Sequence, residues 1–218
     1  MNIVELRDCE VNRGLAYVLG LIFPLYKTKT VFSKDFVLGC VNHNLNMVTQ
    51  NDLTAHFQSV YRLLENTFPK GTAPQIRANK TNEYSISSKA GFSVLIEKCG
   101  NTDESCLEIL SQKVSEISAA ALNVRQEFVK GCFDGRSSWD TTYRLLALDV
   151  DRDYIRQDLI LSIMDSVDVS YNINRREHNH PKNDQIRMKK DSVNNFLNTI
   201  GMYSVCRFNI ISRALQNS

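Results

Sequence analysis

An apolar segment carrying a glycine occurs twice in this chain, and that duplication constrains the fold more than any other feature. Val18-Leu19-Gly20-Leu21-Ile22-Phe23-Pro24-Leu25 and Val129-Lys130-Gly131-Cys132-Phe133-Asp134-Gly135-Arg136 begin 111 residues apart, at positions 18 and 129. Both show a helical apolar pattern ahead of the glycine. Each is read as ending at a breaker, Pro24 in the first and Gly135 in the second. Glycine inside a helix costs stability, so Gly20 and Gly131 mark a close crossing of two helices.

The elements downstream of the two segments repeat in kind. After the first come two β-rich stretches, Lys27–Phe32 and Phe36–Asn42, then a helix opened by Asn51-Asp52 with Phe57, Val60, Leu63 and Leu64 on one face. After the second comes Tyr143–Val150, then a helix behind Asp151-Arg152-Asp153 with Ile155, Leu159, Ile163 and Val167 on its apolar side. The polar run Tyr84–Lys89 leads into Phe92, Val94, Leu95 and Ile96. Its counterpart Ile186–Asp191 leads into Val193, Phe196, Leu197 and Ile200. The shared order is helix, strands, helix, strands, helix. It predicts an α+β pseudo-dimer with halves at 1–100 and 121–218, each an antiparallel sheet covered by helices on one face. The connector, 101–120, is acidic and reads as a helix from the spacing of Leu107, Leu110 and Val114.

Composition enters mainly by exclusion. The 218 residues carry 26 basic and 24 acidic side chains, a net charge of +2. Any nucleic-acid site must therefore concentrate positive charge locally. The longest apolar run, Leu15 to Leu25, is about half of the ~20 residues a bilayer-spanning helix needs, so no membrane association is expected. No secretory pattern opens the chain, and the six cysteines form no CxxC pair. They read as reduced thiols of a cytoplasmic protein, or of one in an organelle matrix or nucleoid.

At Gly20 and Gly131 the two segments resemble the signature helices of the LAGLIDADG family of homing endonucleases and related DNA-binding proteins. The resemblance runs from about Asn12 to Phe208. It implies two helices packed at a pseudo-twofold axis and two antiparallel sheets forming a saddle along the DNA major groove. It also implies an acid near the end of each signature helix that binds a divalent metal at the scissile phosphates. Here those positions hold Leu25 and Arg136, neither of which ligates Mg²⁺. Asp134 falls at an earlier acidic position of the motif, a structural helix-end residue in the resemblance. Lys189 aligns with a basic residue near the family's cleavage pocket, where the first half has Ser87.

Contact candidates cluster in the second half. Asn172–Lys190 holds Arg175, Arg176, Lys182, Arg187, Lys189 and Lys190 against Glu177 and Asp184, with His178 and His180 among its polar residues. The resemblance makes this the hairpin of the second recognition sheet. Its first-half counterpart, Gln75–Ser88, offers Arg77 and Lys80. Lys27 and Lys29 would share one strand face, Arg144 opens another strand, and Arg136 is suited to a phosphate. No metal site is assigned, because His178 and His180 lack further ligands at a recognisable spacing. Trp139 reads as a core anchor.

Three functions stay open. The first is a sequence-specific double-stranded DNA-binding module without nuclease activity and without a cofactor, attached to a nuclease or ATPase domain or subunit in a restriction-modification system, or serving as a regulator. The second is a divergent Mg-dependent DNA endonuclease using Asp134 and Asp140 with Lys189 assisting. The third is an RNA-binding, maturase-like factor.

Overall fold

The computed structural model describes residues 6–25, 36–37, 62, 75–78, 84–87, 103–177 and 179–216. Its helices are α1 (Arg13–Ile22), α2 (Asp103–Ser118), α3 (Leu122–Arg136), α4 (Tyr154–Ser166), α5 (Lys190–Thr199) and α6 (Val205–Gln216). Its strands are β1 (Phe36–Val37), β2 (Gln75–Ala78), β3 (Tyr84–Ser87), β4 (Ser137–Asp140), β5 (Leu145–Val150), β6 (Asn172–Asn174) and β7 (Asp184–Met188). They form a three-stranded sheet in the order β1-β3-β2 and a four-stranded sheet in the order β4-β5-β7-β6. Every pairing is antiparallel. The chain is α+β, and from α3 to α5 it runs helix, hairpin, helix, hairpin, helix. The expected strand Lys27–Phe32 and the helix over Phe92–Ile96 lie outside the described residues, as does all but the helical Arg62 of the helix opened by Asn51-Asp52.

Helix α1 carries no charge after Arg13, and Gly14 through Ile22 are all buried. A helix apolar on every side has to be enclosed. Its start is fixed by Asn12, whose side-chain oxygen accepts the Leu15 N–H at 3.0 Å. It lies against α3 with backbone touching backbone. A Cβ at Gly20 would sit 2.1 Å from the Phe128 carbonyl oxygen, and one at Gly131 would sit 2.1 Å from that of Tyr17. Gly135 does not end α3, contrary to the expectation of a breaker there. The helix continues to Arg136, and the missing side chain at 135 admits Leu21, whose Cα is 3.1 Å from where a Cβ would be. Close packing here outweighs glycine's modest helix penalty.

Helix α2 supplies Cys106, Ile109, Leu110, Val114 and Ile117 to the same core. The amine of its buried Lys113 is held by the Cys9 carbonyl at 3.0 Å and the Glu116 carboxylate at 2.7 Å. In α4 the expected apolar face holds for Leu159, Ile163 and Val167 and fails at its first position. Ile155 is 73% exposed, while Arg156, Gln157, Ile160, Ile163, Met164 and Val167 are buried. Asp153 sets this phase by capping the N–H groups of Ile155 and Arg156. Arg156 can then lie on the Phe23 ring, its guanidinium carbon 5.8 Å from the centroid, between Asp151 and Asp153 at 3.8 Å each. Buried polar residues fill the slots that a count of apolar residues assigns to Ile155.

The four-stranded sheet has two unlike faces. Leu146, Leu148 and Val150 of β5 and Ile186 and Met188 of β7 are buried against the helices, and Trp139 of β4, paired with Leu146, packs on the same core. On the opposite face stand Ser138, Ala147, Asp149, Gln185, Arg187, Asn172 and Asn174. The two sets alternate with the period of two along each strand, although Ala147 is itself buried, at 4% exposure, among its longer neighbours.

Candidate nucleic-acid interface

Ladder register lines the polar face up in rows. One row runs Ser138, Ala147, Arg187, Asn172 across β4, β5, β7 and β6. The next runs Asp149, Gln185, Asn174, and the β4–β5 register carried one step further sets Arg136 opposite Asp149. Gln185 sits between charges of both signs. Its Nε2 donates to Asp149 Oδ1 at 2.9 Å. Its Oε1 accepts from Arg187 Nε at 3.1 Å and Nη2 at 2.7 Å, and from Arg176 Nη2 at 3.3 Å. A carboxylate only accepts and a guanidinium only donates, so this amide can be satisfied in one orientation alone. The result is a flat, half-buried cluster with two guanidiniums fixed in place.

The segment between β6 and β7 is stiffened by its own polar groups. Asp184, buried at the start of β7, accepts the Arg176 N–H at 2.9 Å and the Gln157 amide at 3.0 Å. Arg176 Nε donates to the Asn183 carbonyl at 3.0 Å. Arg152 donates to the carbonyls of His180 and Lys182, the latter at 2.7 Å. His180 Nδ1 accepts the Lys182 N–H at 3.1 Å. Arg175 lies over the Tyr154 ring, 5.2 Å from its centroid. The basic segment thus divides. Arg176 and Arg187 converge on Gln185, Arg175 turns to α4, and Lys182 and Lys189 are exposed.

The remaining candidates are dispersed. Arg144 belongs to the turn between β4 and β5 rather than to a strand, with φ of +52°, an uncommon conformation for a side-chain-bearing residue. Arg77 stands in β2 opposite Ser85. Lys27, Lys29, Lys80 and His178 lie outside the described residues.

At the ends of the crossed helices the chemistry is unlike that of a metal site. Leu25 offers no donor. Arg136, half-buried at the last turn of α3, is a cation whose pKa burial pushes down while Asp149 opposes the shift. This donor set does not fit Mg²⁺, which takes carboxylate and water oxygens. Among the described residues no cluster of three histidine, cysteine or acidic side chains could hold a metal ion.

Asp134 faces inward. Its carboxylate accepts the Tyr17 hydroxyl at 3.0 Å and the backbone N–H groups of Tyr203 at 2.9 Å and Ser204 at 3.1 Å. Burial raises its pKa to about 6, against those two backbone hydrogen bonds and the nearby Arg207. Tyr17 is pushed well above the usual phenol value by burial and by Asp134. Further back along α3, buried Glu127 pairs with Arg13, with Lys130 at 3.5 Å and with the Tyr203 hydroxyl at 3.0 Å. Asp140 is engaged elsewhere, accepting the Thr142 and Tyr143 N–H groups at 2.9 and 3.0 Å. The whole of β4 separates these two acids.

Gln185, Asp149 and Arg152 are site residues that no motif in the sequence marks. The available signal is the alternation Asp184-Gln185-Ile186-Arg187-Met188, which puts Gln185 and Arg187 on one face.

The sequence matches no protein-family model and no curated protein. Among solved structures, the chain overlaps that of I-DmoI in complex with DNA and Mn, at 15% identity over 88% of this chain and 98% of that one, TM-score 0.47. A structure of I-DmoI with DNA and Ca gives 17% identity over 88% and 91%, TM-score 0.45. Mesophilic variants of the homing endonuclease I-DmoI give 15% over 86% and 96%, TM-score 0.47. No helix among the described residues is long and apolar enough to cross a membrane.

Proposed function

We propose that this chain is a sequence-specific double-stranded DNA-binding module of LAGLIDADG-like architecture that holds its target without cutting it. The observation that carries the reading is the open face of the four-stranded sheet. It presents fixed guanidiniums and amides, with exposed Lys182 and Lys189 nearby. Leu25 and Arg136 support the second half of the proposal. A leucine and a cation at the helix ends leave no carboxylate pair to gather metal at a phosphate, and Arg136 suits direct contact with a phosphate oxygen instead.

In this reading the halves 1–100 and 121–218, joined through 101–120, would each read part of one asymmetric site, the second more strongly. Neither Mg²⁺ nor any other cofactor enters the binding step. A nuclease or ATPase partner would supply any chemistry, as in a restriction system, and a regulator would need none.

Selection from a random duplex pool, run with Mg²⁺ or Mn²⁺ and again with chelator, tests this. The expected result is one enriched site, equally bound in both conditions and uncut. Metal-dependent cleavage abolished by Asp134→Ala or Asp140→Ala would install the endonuclease reading. Preference for folded RNA over every duplex would install the maturase-like one.

A further inference from the structure

We infer that Arg187 is a base-reading residue for guanine and that Gln185 is the positioning residue that aims it; this deepens the DNA-binding reading above and rests on it. Five N–H donors belong to the Arg187 guanidinium. The Nε hydrogen and one Nη2 hydrogen are spent on Gln185 Oε1, at 3.1 and 2.7 Å. The two hydrogens on Nη1 and the second on Nη2 have no partner among the described residues. They lie at the far end of the fork, the geometry that matches a pair of acceptors side by side. Guanine presents such a pair, O6 and N7, in the major groove.

The surroundings favour a base edge over a phosphate. Arg187 stands on the middle strand β7, away from the sheet's outer edge. Its neighbour across the β5 ladder is the buried Ala147, whose methyl does not reach past the guanidinium. Gln185 is not itself a reader. Its oxygen holds Arg187 and Arg176, and its amide nitrogen holds Asp149 at 2.9 Å. With its side chain tied at both ends, it can fix the guanidinium plane before DNA arrives. That lowers the ordering cost of binding.

The test is duplex-pool selection with the wild-type chain and with Arg187→Lys, Arg187→Ala and Gln185→Leu, each checked for an unchanged thermal transition. The wild type should select a site with at least one guanine that Arg187→Lys no longer selects. Affinity for that site against its single-base variant should fall by about 10-fold or more, the usual reach of a bidentate contact. Gln185→Leu should relax the same position and leave selection at positions away from Arg176 and Arg187 unchanged, which a general loosening of the sheet would not do. If Arg187→Lys keeps the same selected sequence and Arg187→Ala merely weakens every duplex alike, Arg187 is a phosphate contact and the inference is overturned. Failure of the wild type to enrich any duplex would instead overturn the DNA-binding reading, and this inference with it.

Discussion

Two polar clusters of nearly the same chemistry lie at different depths in this protein. In the seam between α1 and α3, Asp134 and Glu127 are enclosed with Tyr17 and Tyr203, and both oxygens of Asp134 accept donors from the chain itself. On the sheet face, Gln185 ties Arg176 and Arg187 to Asp149, and guanidinium donors of Arg187 are left over. The contrast separates two uses of charge. A buried carboxylate with complete hydrogen bonding fixes how helices meet. A half-exposed cluster with surplus donors keeps hydrogen-bonding capacity unspent. Composition does not tell the two apart; depth and the direction of the leftover hydrogens do.

Substitutions should fall on one side of that divide or the other. The largest effect is expected at the glycine crossing. Gly131→Ala places a methyl against the Tyr17 carbonyl and should cost about 3 kcal/mol or more, read as a lost or sharply lowered thermal transition. Retention of wild-type stability would break the seam description. Next comes Asp134→Asn, whose amide nitrogen must face a donor N–H whichever way it turns. A loss of about 2 kcal/mol at neutral pH is expected by denaturant titration.

The same carboxyl gives a pH signature. Its pKa is raised from 3.8 to about 6 on folding, so the folded chain holds that proton longer than the unfolded one does. The resulting contribution is fully present below about pH 4 and lost as pH rises through about 6, worth on the order of 3 kcal/mol. Denaturant midpoints across that window should show this decline in the wild type and not in Asp134→Asn, and equal slopes would refute it. On the open side, Lys182→Ala should leave stability within about 0.5 kcal/mol while weakening all duplexes alike and lowering the salt slope by about one. The smallest effect is expected for Ile155→Ser, within about 0.5 kcal/mol because this side chain faces solvent. A loss of several kcal/mol would restore an apolar phase for α4 with Ile155 turned inward.

Legible in the sequence is what repeats locally. The glycines, the connector helix and the order of elements after Gly131 all rest on periodicity within a few turns. Periodicity misplaces Ile155 because Arg156 and Gln157 are buried by partners elsewhere in the chain, which no local pattern encodes. Asp134 can be placed at a helix end, but its partners are 117 and 69 residues away, in Tyr17 and Tyr203. Gln185 escapes for the same reason, since its meaning comes from Asp149 across the ladder. A neutral amide in a strand belongs to no motif until register gives it neighbours of opposite charge.

The burial of α1 has a consequence for how such a protein can be rearranged by recombination. The helix spans Arg13–Ile22, yet its bed is Phe128, Gly131 and Cys132 of α3, far along the chain, and the Pro24 carbonyl behind it accepts the Asp151 N–H at 2.8 Å. The segments on either side of α2 are therefore not interchangeable cassettes. A chimera that replaces either segment would have to bring a matching glycine, and a tyrosine in reach of Asp134, in the same event. Variation of the open face carries no such condition. Changes to the exposed strand residues are thus far easier to accommodate than an exchange of whole segments.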